Sequence, residues 1–350
     1  MAMTMGVIGV QHPHGLAHLL ALEGAPEVER LLIWDEDREV ARQALSQLTK
    51  GELVDSPEAL IGHPDLPAVC VLLRDREAGA MTLAALQAGQ WVYGDKPGAY
   101  TAAELAALVE AGKTHGVHFC PCYANRVLPI THELTALLQG GAIGRVWSFS
   151  CQWITSQVSL RGPESWLFHR AQVPGGILTW LGCHWLDLLR VLLGCEVTEV
   201  TALTATQAEA DIDVEDVACL ALRFTNGAVG TLRAGYLLNP FPEYDPCDLN
   251  FQFEGSQGGL TWYPKAKPMG YRLRSSNPAY SPFGVARDIV IDAGAQTGRP
   301  GYAGEFLAAF LAAVEGRGEV PATEVDAWQV LRVIEAAYES AASGRKVCLL

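Results

Sequence analysis

Through residues 1–122, short apolar runs alternate with longer stretches whose apolar positions recur at helical spacing: 5–10 then 16–23, 31–34 then 38–48, 69–73 then 81–88. A further run at 91–93 leads to a helix over 101–111, signalled by Thr101 and by Glu104 three residues later, and 118–122 reads as one more strand. Repeated strand–helix units of this kind predict a doubly wound parallel sheet. Beyond Arg126 the pattern changes: an amphipathic helix over 130–138 is followed by strand-like stretches at 146–154, 197–206, 217–224, 228–234 and 249–253. They predict an α+β domain over 123–350 with a large, mostly antiparallel open sheet. Within it, 177–193 reads as a helix rich in Leu and Trp, Asn226-Gly227 as a hairpin turn, and the proline-punctuated segment 239–299 as the loop-rich part. Helices over 304–314 and 325–340 close the chain, the last free to pack on either domain.

Composition narrows the class. The 350 residues allow two domains, and 49% apolar content excludes global disorder. A formal charge of −14 disfavours nucleic acid and anionic membrane surfaces as partners. No apolar run approaches the roughly 20 residues of a spanning helix, and no export leader is legible, so a soluble, cytoplasmic protein is expected. The nine cysteines are scattered without a CxxC pair, which argues for buried free thiols over a zinc site or disulfide frame.

Three places carry candidate chemistry. The turn after the first strand, Gly9-Val10-Gln11-His12-Pro13-His14-Gly15, keeps only the first glycine of a dinucleotide-binding turn, with Gln11 at the second position and His14 at the third. Asp35 follows the second strand, where a carboxylate can accept from an adenosine ribose and repel a 2′-phosphate, favouring NAD over NADP; equally it can cap the helix beginning near Glu36. Gly94-Asp95-Lys96-Pro97 falls on the carboxyl edge of the predicted sheet, where Lys96 is either a donor to a substrate hydroxyl or an ordinary solvated loop lysine. Finally, a Gly175-Gly176 turn opens a helix in which Trp180, His184 and Asp187 recur at helical spacing. His184 is a candidate acid/base, or a satisfied core histidine. His14 and His18 have a zinc-compatible spacing but no readable third ligand, so no metal is expected; His18 reads as a solvated helix face and His12 as a pocket contact.

With Ala88-Gly89-Gln90-Trp91-Val92 leading into Asp95-Lys96-Pro97, Asn125-Arg126 before Pro129, and the Gly175-Gly176 to Asp187 block, the chain resembles the Gfo/Idh/MocA family nearly end to end. The resemblance implies a Rossmann domain binding NAD at Gly9, Gln11, His12, Pro13, His14, Asp35, Arg74, Asp95, Lys96, Pro97 and Arg126. It places Lys96 and His184 on the family's catalytic Lys and His; Tyr123, His169, Arg170 and Trp180 are further candidate substrate contacts. The expected activity is hydride transfer to or from a secondary alcohol of a sugar, polyol or sugar derivative. An NAD-containing glycoside hydrolase or lyase, or a ligand sensor, are the alternatives. A homodimer or homotetramer through the second sheet is expected as well. Three positions depart from the family: Trp180 stands where the catalytic Asp belongs, Gln11 replaces a glycine, and Leu73-Arg74-Asp75-Arg76-Glu77 replaces a Thr-Pro turn.

Overall fold

The computed structural model describes residues 2–236, 247–266, 268–280, 286–290 and 303–349. The chain forms two compact units, Met1–Val127 with Ala295–Gln329, and Leu128–Gly294 with Val330–Leu350.

The first unit runs β1 (Met3–Ile8), α1 (Gly15–Gly24), β2 (Val28–Trp34), α2 (Arg38–Leu45), β3 (Gly51–Leu53), β4 (Ala68–Val71), α3 (Asp75–Gln87), β5 (Trp91–Gly94), α4 (Ala102–His115) and β6 (Phe119–Pro121). All its strand pairings are parallel, in the order β3-β2-β1-β4-β5-β6. Both faces are covered by helices, which is why the strands are continuous apolar runs: Val7, Ile8, Leu31, Ile33, Val69 and Val92 are wholly buried. The chain reverses its direction of winding between β1 and β4, and ligands of such sheets bind outside the carboxyl ends at that switch. α4 starts with the expected reciprocal cap between Thr101 and Glu104.

The second unit contains α5 (Pro129–Gln139), β7 (Val146–Thr155), α6 (Gln157–Arg161), a π turn at Leu178–Gly182 leading directly into α7 (Cys183–Leu193), β8 (Val197–Ala205), β9 (Val217–Phe224) and β10 (Val229–Gly235). β11 (Cys247–Gly255), β12 (Gly258–Trp262), β13 (Gly270–Ser275), β14 (Ala286–Val290) and β15 (Val347–Cys348) complete a nine-stranded sheet ordered β14-β13-β12-β11-β7-β10-β9-β8-β15. Every described pairing is antiparallel except β7 with β10. Three of these strands, β12 to β14, lie in the segment expected as loop-rich and were not among the expected strands. Its prolines punctuate the turns, while stretches such as Tyr271, Leu273 and Ser275 alternate inward with outward Arg272 and Arg274. Residues 239–246, 267, 281–285 and 291–299 of that segment lie outside the described residues.

Two helices follow, α8 (Gly304–Val314) and α9 (Glu324–Ser343). α8 packs within the first unit, where Phe306 and Phe310 meet the Tyr93 ring at 6.5 and 5.4 Å. The linear division at residue 123 has no such return, because the apolar face of a helix does not identify the surface that will cover it.

Candidate active site

Gly9 has φ +83°, and a Cβ there would lie 2.5 Å from Leu73 Cδ2, so only glycine makes the turn out of β1. Asp35, at the end of β2, is buried. Its Oδ2 accepts from the Val10 amide at 2.7 Å, and its Oδ1 accepts from the Asp37 amide and from Gln11 Nε2, each at 2.8 Å. The side chain in place of the second glycine is thereby folded onto this carboxylate. Asp37, and not Asp35, caps α2, by accepting from the Glu39 and Val40 amides. The glycine turn and the buried carboxylate beyond it fit the adenosine half of a dinucleotide.

Asp95 follows β5 and gathers the histidines of the β1–α1 turn. Its Oδ2 lies 2.8 Å from His14 Nδ1, 3.0 Å from His18 Nε2 and 3.6 Å from His12 Nδ1. Its Oδ1 accepts from the Lys96 amide at 2.8 Å, and the Lys96 Nζ stands 3.9 Å away. His18 is buried, with Nδ1 3.2 Å from the Tyr93 hydroxyl, which corrects the expectation of a solvated helix face. The α1 face carrying it is turned to the sheet, and Asp95 and Tyr93 satisfy its two nitrogens. Lys96 is also fully buried, so it is not a solvated loop lysine.

Burial opposes ionisation of Asp95, but the surrounding His12 and His14 rings and hydrogen bonds from His14 and His18 outweigh it and hold the carboxyl well below its usual range. Burial lowers His12 to about 3. Its Nδ1 accepts from the His14 amide at 3.2 Å, in keeping with a neutral ring. Asp75, at the first turn of α3, is pushed up to about 8 by burial, partly offset by the Lys96 charge. His12, His14 and Asp95 each bring one ligand atom within 4.8 Å of the others, a set able to hold a metal ion. The set joins His14 to His12 and to a carboxylate far along the chain, and does not include the His18 that the i, i+4 spacing paired with it.

The remaining candidates in this unit are more structural. Arg74 precedes α3 and pairs with Glu36 and Glu77. Arg126 pairs with Asp326 at 2.8 Å and lies 5.8 Å from the Tyr123 ring centre. Pro13 is half-buried in the turn, and Pro97 is buried behind Lys96.

In the second unit, a Cβ on Gly176 would stand 1.9 Å from the Glu215 carbonyl oxygen. That close approach lets the Glu215 carboxylate accept from the Gly176 and Leu178 amides at 2.8 and 3.1 Å, and from the Tyr338 hydroxyl at 2.8 Å. The helix start so fixed winds as a π turn through Trp180, a geometry common at functional sites. Trp180 is buried, with the Arg161 guanidinium 5.5 Å over its ring. His184 is 4% exposed, and its ring lies 5.7 Å from that of Trp153, which in turn packs at 4.2 Å on Trp185. Asp187 faces Arg190 at 3.6 Å, and Arg190 pairs with Glu196, so Asp187 belongs to a buried ion network. His169 and Arg170 are held by loop carbonyls, His169 by Pro163 and Arg170 by Asp213. Trp153, Arg161 and Tyr236 were not singled out from the sequence. Trp153 lies on β7 and Tyr236 directly follows β10, 80-odd residues later in sequence, and the pairing of β7 with β10 is what brings these strand ends together.

Comparison with known proteins agrees with this architecture. Residues 3–123 match the model described as oxidoreductase family, NAD-binding Rossmann fold, and residues 131–261 match the GFO/IDH/MocA C-terminal domain. Levoglucosan dehydrogenase of Pseudarthrobacter phenanthrenivorans is 25% identical, over 94% of this chain and 93% of its own. Inositol 2-dehydrogenase of Acidothermus cellulolyticus is 29% identical over 64% and 62%. A solved structure of levoglucosan dehydrogenase in complex with NADH superposes with a TM-score of 0.86 at 23% identity, covering both chains completely.

Proposed function

Because the chain belongs to the Gfo/Idh/MocA oxidoreductase family, we propose that it is an NAD-dependent dehydrogenase or reductase acting on a secondary alcohol of a sugar, polyol or sugar derivative. The observation that carries this reading is Lys96: a fully buried lysine at the carboxyl edge of a parallel sheet, its backbone amide and ammonium both beside Asp95. Burying an ammonium is costly unless it is paired, and a chain that does so at a ligand-binding edge has a use for the charge there. The nicotinamide supplies the hydride chemistry. The protein supplies position and the proton path.

In this reading Asp35 accepts from the adenosine ribose, and its charge repels a 2′-phosphate, favouring NAD over NADP. The turn at Gly9 brings backbone amides and the start of α1 to the pyrophosphate. Lys96 donates to the reacting oxygen and orients it. His184 takes the hydroxyl proton when the alcohol is oxidised and returns it in the reverse direction. Trp180 offers an apolar ring face where relatives by resemblance offer a carboxylate, so it favours a substrate with a flat or less hydroxylated side. Purified protein assayed for NADH formation over a panel of polyols, anhydrosugars and aryl glycosides tests the reading. Lys96→Ala and His184→Ala should each lower turnover by about 10² or more while NAD binding stays nearly intact. Normal turnover in His184→Ala would remove it as the proton acceptor. Tight sugar binding without hydride transfer across the panel would overturn the dehydrogenase reading altogether.

A further inference from the structure

Arg161 ends α6 half-buried, in a chain with 39 acidic against 25 basic residues. Among the described residues no carboxylate pairs with it. Its Nε donates to Gln157 Oε1 at 2.5 Å, and its guanidinium rests over the Trp180 ring. Burial pushes its pKa down, and among the described residues the one ionisable group acting on it electrostatically is the Tyr236 phenol. An arginine in an acidic protein ordinarily finds a carboxylate; this one is instead held on an indole with its two terminal nitrogens left over.

Two buried hydroxyls at the same edge also have no hydrogen-bond partner among the described residues, Ser156 Oγ and Tyr236 Oη, on residues that are 0 and 2% exposed. Topology brings their two residues to one edge of the sheet. β7 and β10 are parallel neighbours, with Trp153 opposite Ala234 and Ile154 opposite Gly235, so both strands discharge their chain at one edge. Ser156 leaves β7 and turns into α6, which ends at Arg161; Tyr236 leaves β10. Burying hydroxyls without partners is costly, and such groups in a native structure call for an explanation.

We propose that Arg161, Tyr236 and Ser156 form a carboxylate-binding subsite beside Trp180, and that the substrate is a sugar acid. The proposal deepens the dehydrogenase reading above and rests on it for the sugar part. Arginine with Nε already engaged presents its two terminal nitrogens as a planar fork, the geometry matched by one carboxylate. Two neutral hydroxyls then satisfy its remaining lone pairs. One cation balances a singly charged carboxylate, whereas a phosphate dianion would leave a charge uncompensated in a half-buried site.

The test uses the full-length protein and two readouts. Quenching of intrinsic tryptophan fluorescence is titrated with hexuronates, their methyl esters and hexose 6-phosphates, and the same compounds are then offered with NAD. The acid should bind about tenfold or more tighter than its ester, since a charge-assisted pair is lost on esterification. Arg161→Gln should bring the ratio of acid to ester near one, Arg161→Lys should retain part of it, and the isosteric Tyr236→Phe should lower it by about three- to tenfold. Equal binding of acid and ester by the parent protein, or a preference surviving in Arg161→Gln, overturns the subsite. Tighter binding of hexose 6-phosphates overturns its carboxylate assignment. Acid preference in binding without hydride transfer to NAD leaves the subsite standing and sinks the dehydrogenase reading. Hydride transfer on neutral sugars with no acid preference does the reverse.

Discussion

Gln11 allows a sharp test of how the altered phosphate turn handles its cofactor. Its Nε2 donates to Asp35 Oδ1 at 2.8 Å, while the Val10 and Asp37 amides take two further acceptor positions of that carboxylate. A carboxylate has about four lone-pair directions, so three donors leave one for a ribose hydroxyl. A ribose presenting both hydroxyls must displace the weakest donor, and the side-chain amide is the one that can rotate away. In Gln11→Ala that position is held by water, which leaves without the loss of an internal hydrogen bond. The difference is one net hydrogen bond, about 1 kcal/mol, or roughly fivefold in affinity. Gln11→Ala should therefore tighten NAD about fivefold in a calorimetric or NADH-fluorescence titration. NADP should gain less, because its 2′-phosphate still meets the Asp35 charge. Unchanged or weaker NAD binding would refute the competition. Equal tightening of NAD and NADP would show that Gln11 acts on the pyrophosphate and not at the ribose.

Other outcomes follow from the same geometry. Asp75 has a folded-state pKa of about 8, above its unfolded value near 4, so the folded chain keeps a proton that the unfolded chain releases. Stability should fall as pH rises from about 4 to 8, by up to about 1 kcal/mol per pH unit, and Asp75→Asn should flatten that slope in denaturant unfolding; an identical slope in the variant would contradict the burial assignment. Self-association is expected because the outward face of the nine-stranded sheet shows Leu203 and Val229, 75 and 40% exposed, and sedimentation giving a particle of one chain's mass at micromolar concentration would count against it. Asp35→Ala should narrow the gap between NAD and NADP affinity, and equal affinity of the parent protein for both would reduce Asp35 to a brace for the turn.

The parts legible in the sequence are those where one local signal suffices. Continuous apolar strands between helical stretches gave the parallel sheet, because burial on both faces leaves no other composition for it. The Thr101–Glu104 cap and the alternation of β9 were readable for the same reason. β3, Gly51–Leu53, is too short to show a period. β12 to β14 were hidden among prolines that mark their turns. The long-range parts of the candidate site were not legible. His18 looked solvated because its partners Asp95 and Tyr93 arrive from β5, more than 70 residues away. Asp75 carried no sign of its proton, since tertiary burial raises its pKa against the opposing charge of Lys96. Arg161 and Trp180 are brought together across a loop and a π turn, neither of which has a period to read.

Trp180 connects the sequence departure to the electrostatics around it. A carboxylate on this turn that reached Arg161 would pair with it, and the pair would be internally neutral and offer hydrogen-bond acceptors to sugar hydroxyls. An indole in the same place keeps the guanidinium ordered, through the face contact at 5.5 Å, without cancelling its charge. One residue therefore removes an acceptor for hydroxyls and leaves a cation available to an anion. The two effects point the same way, toward a substrate whose charge replaces the missing carboxylate. Trp180→Asp separates them from a simple loss of packing: the variant should gain on neutral polyols as it loses its preference for acids, because the new carboxylate would occupy Arg161. A variant that loses both activities together would reduce Trp180 to a packing residue, and one that keeps its acid preference would show that Arg161 and position 180 act independently.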